Sequence, residues 1–360
     1  MEDCLRQDIR GLSLDEIKEL LAGAGEKEYR GEQVFRWVQK KAVACWQEMS
    51  SIGEKTRAWL AEKTYLRPLE LKEELVSEDG TRKYLWKLGD NKTIESVLLY
   101  HEGDVTKARH TICLSTQVGC PMGCSFCATG KMGFWRNLSA GEIVSQVLDT
   151  TRLRRKETPA FKAGNIVYMG MGEPLLNLPA VLKSIRILND KQGQNIGIRR
   201  ITVSTCGLVP QIDELARQNI DIVLAVSLHA PNNELRNRVM PVNKKYPLEI
   251  LIPACRRYIE KTGRRITFEY ALIKGFNDDQ EHGRQLAQLL RGLKANLNII
   301  PVNTVPGASF SRPKPENTRR FAELLRKMGL DAVVREEKGV DIAAACGQLA
   351  GRSEVRGFAF

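Results

Sequence analysis

Cys120, Cys124 and Cys127 fall within eight residues, in the run Cys120-Pro121-Met122-Gly123-Cys124-Ser125-Phe126-Cys127. The spacing C-x3-C-x2-C puts three thiolates on one short loop. Zinc ribbons use two separated C-x2-C pairs, or cysteines with histidines. A [4Fe–4S] cluster takes four thiolates, so a loop that supplies three leaves one iron open to a substrate or cofactor. A structural metal knuckle is the plainer alternative, and the rest of the chain has to decide.

The elements that position this loop can be read from periodicity. Ser13 and Glu16 form a capping box, with Leu12 and Ile17 as its hydrophobic staple. Further helices are expected over Glu32–Lys40 and Ile52–Lys63. Residues 1–68 thus read as a helical accessory domain. Residues 69–105 switch to a period of two, with strands Leu71–Val76, Lys83–Leu88 and Thr93–Tyr100. Asp79-Gly80 and Gly89-Asp90-Asn91 mark the turns, so a β-meander is expected to join the accessory domain to the core. In 106–338 strands alternate with amphipathic segments. The strands are Thr111–Ser115, Asn165–Met169, Ile201–Ser204, Asp221–Ser227, Ile266–Leu272 and Leu297–Val302. The helices are Ala140–Thr151, Pro179–Asn189, Val209–Gln218, Leu248–Lys261 and Gln280–Leu293. Helix Glu316–Met328 and strand Asp331–Arg335 follow, and 339–360 form a loop and tail. Six such units imply an α/β fold with a parallel sheet, an open or partial (βα)6 barrel.

In parallel α/β folds ligands bind at the carboxyl ends of the strands. The unusual residues fall there. The cysteine loop follows the first strand, and Gly172-Glu173 follows the second. Ser204 ends the third, Ser227-Leu228-His229 the fourth, and Asn303 follows the sixth. Glycine lets backbone approach a ligand, and Glu173 can accept from an ammonium group. Ser204, His229 and Asn303 suit ribose and carboxylate. A histidine at a strand end is ordinarily a satisfied structural group, so His229 counts only with its neighbours.

The chain has 360 residues, 55 Lys and Arg against 43 Asp and Glu, and a net charge of +12. That balance favours a polyanion such as nucleic acid. No apolar run approaches a membrane span, and the start lacks the pattern of a signal peptide. A cytoplasmic protein is expected. Nine cysteines in a reducing compartment argue for metal or catalytic roles rather than disulfides.

The cysteine loop, with an aromatic just before its third cysteine, resembles the radical S-adenosylmethionine (SAM) signature. Cys113–Cys120, Cys127–Leu138, Met169–Asn177, Ser227–His229 and Asp341–Leu349 extend the likeness to the RlmN/Cfr family of radical SAM RNA methyltransferases. The resemblance implies a [4Fe–4S] cluster on Cys120, Cys124 and Cys127. It implies two SAM molecules per turnover, bound by Gly172, Glu173, Ser204, Ser227, Leu228, His229 and Asn303. Cys346 would take a methyl group from one SAM. A 5′-deoxyadenosyl radical from the second would remove hydrogen from that methyl, and the methylene radical would add to adenine. Glu95 would accept the ring proton, with Glu102 as the competing candidate. Cys113 would then attack the Cys346 sulfur, release methylated RNA and leave a disulfide. Met169 would lie near the cluster or in the core. Gly339 and Gly347 around Cys346 suggest a mobile loop. Cys4, Cys45, Cys206 and Cys255 read as buried or incidental.

The RlmN-type reading implies methylation at C2 of one adenosine in 23S rRNA and of the adenosine 3′ of the anticodon in some tRNAs. A Cfr-type relative would methylate C8 and confer antibiotic resistance. An electron donor such as a flavodoxin system and a monomeric state are expected. From another class, a nucleic-acid-binding protein with a structural or redox-sensing cluster remains possible, with Cys113 as a fourth ligand.

Overall fold

The structure, a computed structural model, describes residues 6–101, 109–305, 307 and 309–351. Cys4 and Glu102 lie outside them.

Val, Ile and Leu fill the central strands on both faces, as parallel strands flanked by helices require. Seven strands run parallel: Arg109–Cys113, Asn165–Tyr168, Ile201–Thr205, Val223–Ser227, Ile266–Leu272, Ala295–Pro301 and the short Ala332–Val334. Each pairs with the next in sequence, so the sheet winds in one direction, as a barrel wall does. The first and last of the seven do not pair with each other, which leaves the wall open. Six full strands and a short seventh match the expected partial barrel.

The meander is not a separate link. Glu70–Val76, Arg82–Lys87 and Thr93–His101 extend the same sheet to ten strands by antiparallel pairing, through Thr93–His101 beside Arg109–Cys113. This pairing brings Glu95 into the wall of the core, which a linker would not.

Ser13 and Glu16 make the expected capping box on helix Leu14–Ala22. The next helix begins earlier than expected, at Glu28, and continues as a π-helical turn over Arg36–Lys40. Helix Ala140–Glu157 runs six residues past its expected end. Its last turn carries Arg154, Arg155 and Lys156, cations that the helix dipole favours there although they break the apolar pattern. Periodicity also missed the hairpin of Gln117–Gly119 with Phe134–Asn137 and the helix Asn233–Val239.

The N-terminal helices have their own core around Ile9, Ile17, Val34, Phe35 and Leu60. They dock on helix Ala140–Glu157. Gly11 and Gly141 approach so closely that a Cβ at Gly11 would stand 2.8 Å from the Gly141 nitrogen. A buried Arg10–Asp149 ion pair of 2.7 Å lies in the same contact.

Candidate active site

The cysteine loop is the loop of a hairpin. Gln117–Gly119 leads into it and Phe134–Asn137 leads out. Gly119 has a φ of +76°, and a side chain there would run into the Gly133 carbonyl. The Cys120 amide donates to that carbonyl at 2.8 Å, which closes the loop at its base. Inside the loop Cys127 N–H donates to Cys124 O at 3.1 Å, and Ser125 N–H to Val239 O at 3.1 Å.

Burial pushes the Cys120 thiol up to about 12, with Glu173 and Cys127 adding to the rise. Cys124 is also raised, by burial and then by Cys127 and Cys120. A cation beside Cys120 and Cys124 would be needed to hold those two as thiolates. Among the described residues no three His, Cys, Asp or Glu side chains converge on a single ion. A cubane has a different requirement, because each thiolate binds its own iron. The donor set suits a soft iron–sulfur group. The titratable group beside Cys113 is Cys346.

Gly172 has a φ of +103°, and a Cβ there would stand 2.6 Å from Gln117 Cβ. Gln117 in turn accepts the Glu173 amide at 2.9 Å. The Glu173 carboxylate is buried beside the cysteine loop. One oxygen accepts from Leu175 N at 3.0 Å and the other from Cys206 N at 2.8 Å. Burial raises its pKa, and these bonds oppose the rise. The Cys206 and Thr205 side chains add hydrogen bonds to the carboxylate, so an ammonium group would share it with these donors. Cys206, expected to be buried or incidental, is buried and holds Glu173 in place through its amide.

The carbonyl ends of the next strands complete the rim. Ser204 and Ser227 are half-buried, and Leu228 is buried. Leu228 and His229 donate their amides to Glu269 O at 2.9 and 3.2 Å. His229 is non-glycine at a φ of +58°, held there by Asn277 Nδ2 on its carbonyl at 2.9 Å. Its Nδ1 accepts from Ala271 N at 2.9 Å, so the neutral ring carries its proton on Nε2. Burial, with Arg236 nearby, lowers its pKa to about 3. Phe126 meets the ring edge-on at 4.8 Å. Asn303 donates to the Cys346 carbonyl at 3.0 Å, while its own Oδ1 is buried without a partner. An unmet buried acceptor costs about 1–3 kcal/mol, so this atom invites a ligand hydroxyl or amine.

Cys346 and Cys113 come from distant parts of the chain and lie near each other, and Glu95 lies on the strand paired with that of Cys113. Cys113 ends its strand, and burial followed by Cys346 raises its thiol to about 12. Cys346 is solvent-accessible, yet protein surrounds it, as for a group on the wall of an open cavity. Its thiol is raised to about 11, by burial and then by Glu269, with Arg335 opposing. Glu95 is buried, with Lys83 Nζ 3.4 Å from one oxygen and Ala350 N donating to the other at 2.8 Å. Met169 donates its amide to the Cys113 sulfur, while Met171 Sδ accepts from Glu95 N at 3.3 Å.

Hydrogen bonds join the loop carrying Cys346 to its surroundings. Ala128 N donates to Gly347 O at 2.7 Å, Thr129 Oγ1 to Leu349 O at 2.5 Å and Lys83 Nζ to Ala343 O at 3.2 Å. Asp341 accepts from Ser77 Oγ at 2.6 Å. Gly339 and Gly347, at φ of +67° and +83°, serve tight turns in this network. Residue types alone could not reveal such backbone bonds. Gln117, Lys83, Asn277, Arg236 and Glu269 were missed for the same reason: each acts through a long-range contact.

Residues 114–287 match the family described as the radical SAM superfamily, and residues 7–66 the ribosomal RNA large subunit methyltransferase N-terminal domain. A probable dual-specificity RNA methyltransferase RlmN of Heliobacterium modesticaldum is 50% identical over 347 residues, 96% of this chain and 90% of that protein. The protein so named in Moorella thermoacetica is 51% identical over 346 residues, 96% of this chain and 97% of its own. The crystal structure of a radical SAM methyltransferase from Sphaerobacter thermophilus superposes with a TM-score of 0.91. It is 47% identical and covers 96% of this chain and 100% of that one.

Proposed function

The chain belongs to the RlmN family of radical SAM RNA methyltransferases, and on that premise we propose that it methylates C2 of adenosine in RNA. The substrates of this reading are one adenosine of 23S rRNA and the adenosine 3′ of the anticodon in some tRNAs. Carbon 2 of adenine lies between two ring nitrogens and is electron-poor, so it does not attack a methyl sulfonium. The carbon has to arrive as a radical. The observation that carries the proposal is the meeting of Cys346 and Cys113 beside the cysteine loop.

Cys120, Cys124 and Cys127 would hold the [4Fe–4S] cluster, and Glu173, Ser204, Ser227, Leu228, His229 and Asn303 would hold SAM. With SAM, the cluster supplies a 5′-deoxyadenosyl radical. Glu173 orients the ammonium group, and the unpartnered Oδ1 of Asn303 accepts a further donor. Neutral His229 donates from Nε2. Cys346 takes the methyl group by displacement, which requires its thiolate. Its raised pKa means that the positive sulfonium would have to favour the thiolate by its charge, the proton passing to water, before the S–CH3 bond of SAM breaks and S-adenosylhomocysteine leaves. After the methyl-derived carbon has joined the ring, Glu95 accepts the C2 proton. Lys83 Nζ, 3.4 Å from one carboxylate oxygen, and the Ala350 amide on the other would hold the group in position. Cys113 then attacks the Cys346 sulfur and frees the product.

The surplus of cations favours RNA phosphates, with binding that weakens in salt. Phe134 and Trp135, on the strand leaving the cysteine loop, are exposed, and Lys92 Nζ lies 3.6 Å from the Trp135 ring centroid. This pair supports a stacking surface for an unpaired base at the site's edge, since the target base must leave its own stack. Among the described residues no helix is long and apolar enough to cross a membrane. We place the reaction in the cytoplasm, with a monomeric enzyme and a flavodoxin-type electron donor.

The test is anaerobic turnover of the cluster-loaded enzyme with reductant, SAM and an rRNA fragment, comparing wild type with Cys346→Ala. Mass spectrometry should find 2-methyladenosine from the wild type and none from the variant. 8-Methyladenosine would move the chain to the Cfr-type reaction. An active Cys346→Ala enzyme would remove the methyl-carrier reading.

A further inference from the structure

Arg236 is a buried cation with only neutral acceptors. Its side chain is wholly enclosed. Nε donates to Leu228 O at 3.1 Å and Nη1 to Asn243 Oδ1 at 2.8 Å. Nη2 donates to Cys206 O at 2.7 Å and Ser227 O at 3.2 Å. Among the described residues no Asp or Glu stabilises its charge. The ionisable groups nearest to it are the thiols of Cys206, Cys124 and Cys255, which burial keeps protonated and therefore uncharged. Burial pulls its pKa down to about 10, which still leaves it protonated at neutral pH. A buried charge without a counter-ion is costly, and the carbonyl dipoles meet only part of that cost.

Two contacts carry this cation to the cysteine loop. Val239, in the same short helix, accepts the Ser125 amide at 3.1 Å. Cys206, whose carbonyl takes Nη2, places its sulfur 3.1 Å from Met122 Sδ inside the loop. Cys124 is a cluster cysteine and feels Arg236 directly. A four-iron cluster on three thiolates carries one net negative charge when oxidised and two when reduced. The missing counter-ion of Arg236 and the missing counter-charge of the cluster are therefore neighbours.

We propose that Arg236 is the internal counter-cation of the iron–sulfur cluster, stabilising the charge that reduction adds and so raising the potential at which the cluster accepts its electron. The proposal rests on the cluster assignment above. Its rival is a mechanical role, in which the guanidinium fork only ties together the ends of two strands.

The experiment is a redox titration followed by electron paramagnetic resonance on anaerobically reconstituted holoenzyme. Wild type is compared with Arg236→Gln, Arg236→Lys and Asn243→Asp. The aspartate would pair the guanidinium in place and cancel its charge without removing it. Arg236→Gln and Asn243→Asp should each make the cluster at least tenfold harder to reduce, which is 59 mV for one electron. Arg236→Lys keeps the charge and should stay within about threefold of wild type; a mechanical clamp predicts that it fails together with the glutamine. If Arg236→Gln does not fold, Asn243→Asp decides. A loaded Asn243→Asp protein at the wild-type potential overturns the proposal. A wild type that assembles no four-iron cluster overturns the cluster assignment, and the proposal with it.

Discussion

Cys346 should behave as a thiol held back from ionisation. The surrounding protein is the largest cause and Glu269 the next, with Arg335 opposing them, and together they place the group at about 11. Solvent works against this shift, since Cys346 is exposed. Only the thiolate reacts with iodoacetamide. For a group at about 11, the thiolate fraction climbs roughly thirtyfold between pH 8.5 and pH 10. A thiol at its ordinary value of 9.0 gains only about fourfold over that interval, because it approaches saturation. Trypsin releases Gly339–Arg352 as a peptide in which Cys346 is the sole cysteine, so its alkylation can be followed apart from the cluster cysteines. The assay is pulsed alkylation of the anaerobic, cluster-loaded enzyme, read by mass spectrometry and normalised to a model thiol. Glu269→Gln, which removes the second cause, should flatten the profile. A wild-type profile that levels off near pH 9 would refute the reasoning. It would mean that solvent, and not the protein, sets the thiol, and that Cys346 needs no help from a sulfonium to ionise.

Gly172→Ala combines a forbidden φ with a clash at Gln117, and should cost about 2–4 kcal/mol. For a chain of this size that lowers Tm by roughly 3–5 °C. SAM affinity should fall at least tenfold, and an unchanged Tm and Kd would show that the turn has room. His229 is held near 3, against 6.5 when free, so the unfolded chain takes up the proton first. Its contribution is complete above pH 6.5 and declines toward pH 3, by up to about 1.4 kcal/mol per pH unit. Urea titrations at pH 7, 6 and 5 should show that His229→Gln loses this part of the slope; parallel curves would count against a neutral buried ring. Cys113→Ser should leave RNA covalently attached to Cys346, visible as a shifted band on a denaturing gel. Free methylated product from that variant would exclude Cys113 as the resolving thiol.

The order of strands and helices was legible because apolar period and turn chemistry are local. Ile266–Leu272 was read to the residue, since a fully buried run bounded by polar segments has one reading. The cysteine loop was legible because three thiols at that spacing have few uses. Boundaries slipped where charge replaced the pattern, as in the last turn of helix Ala140–Glu157. Tertiary structure alone decided the rest. Antiparallel pairing of the meander with the first core strand brings Glu95 into the wall, 255 residues from the Ala350 amide that binds it. Folding also brings Cys346 near Cys113, turns His229 into a neutral donor and, among the described residues, leaves Arg236 without a carboxylate. Each of these depends on which groups lose water and which partner replaces it. That is settled by contacts far apart in the chain, where residue type and spacing carry no record.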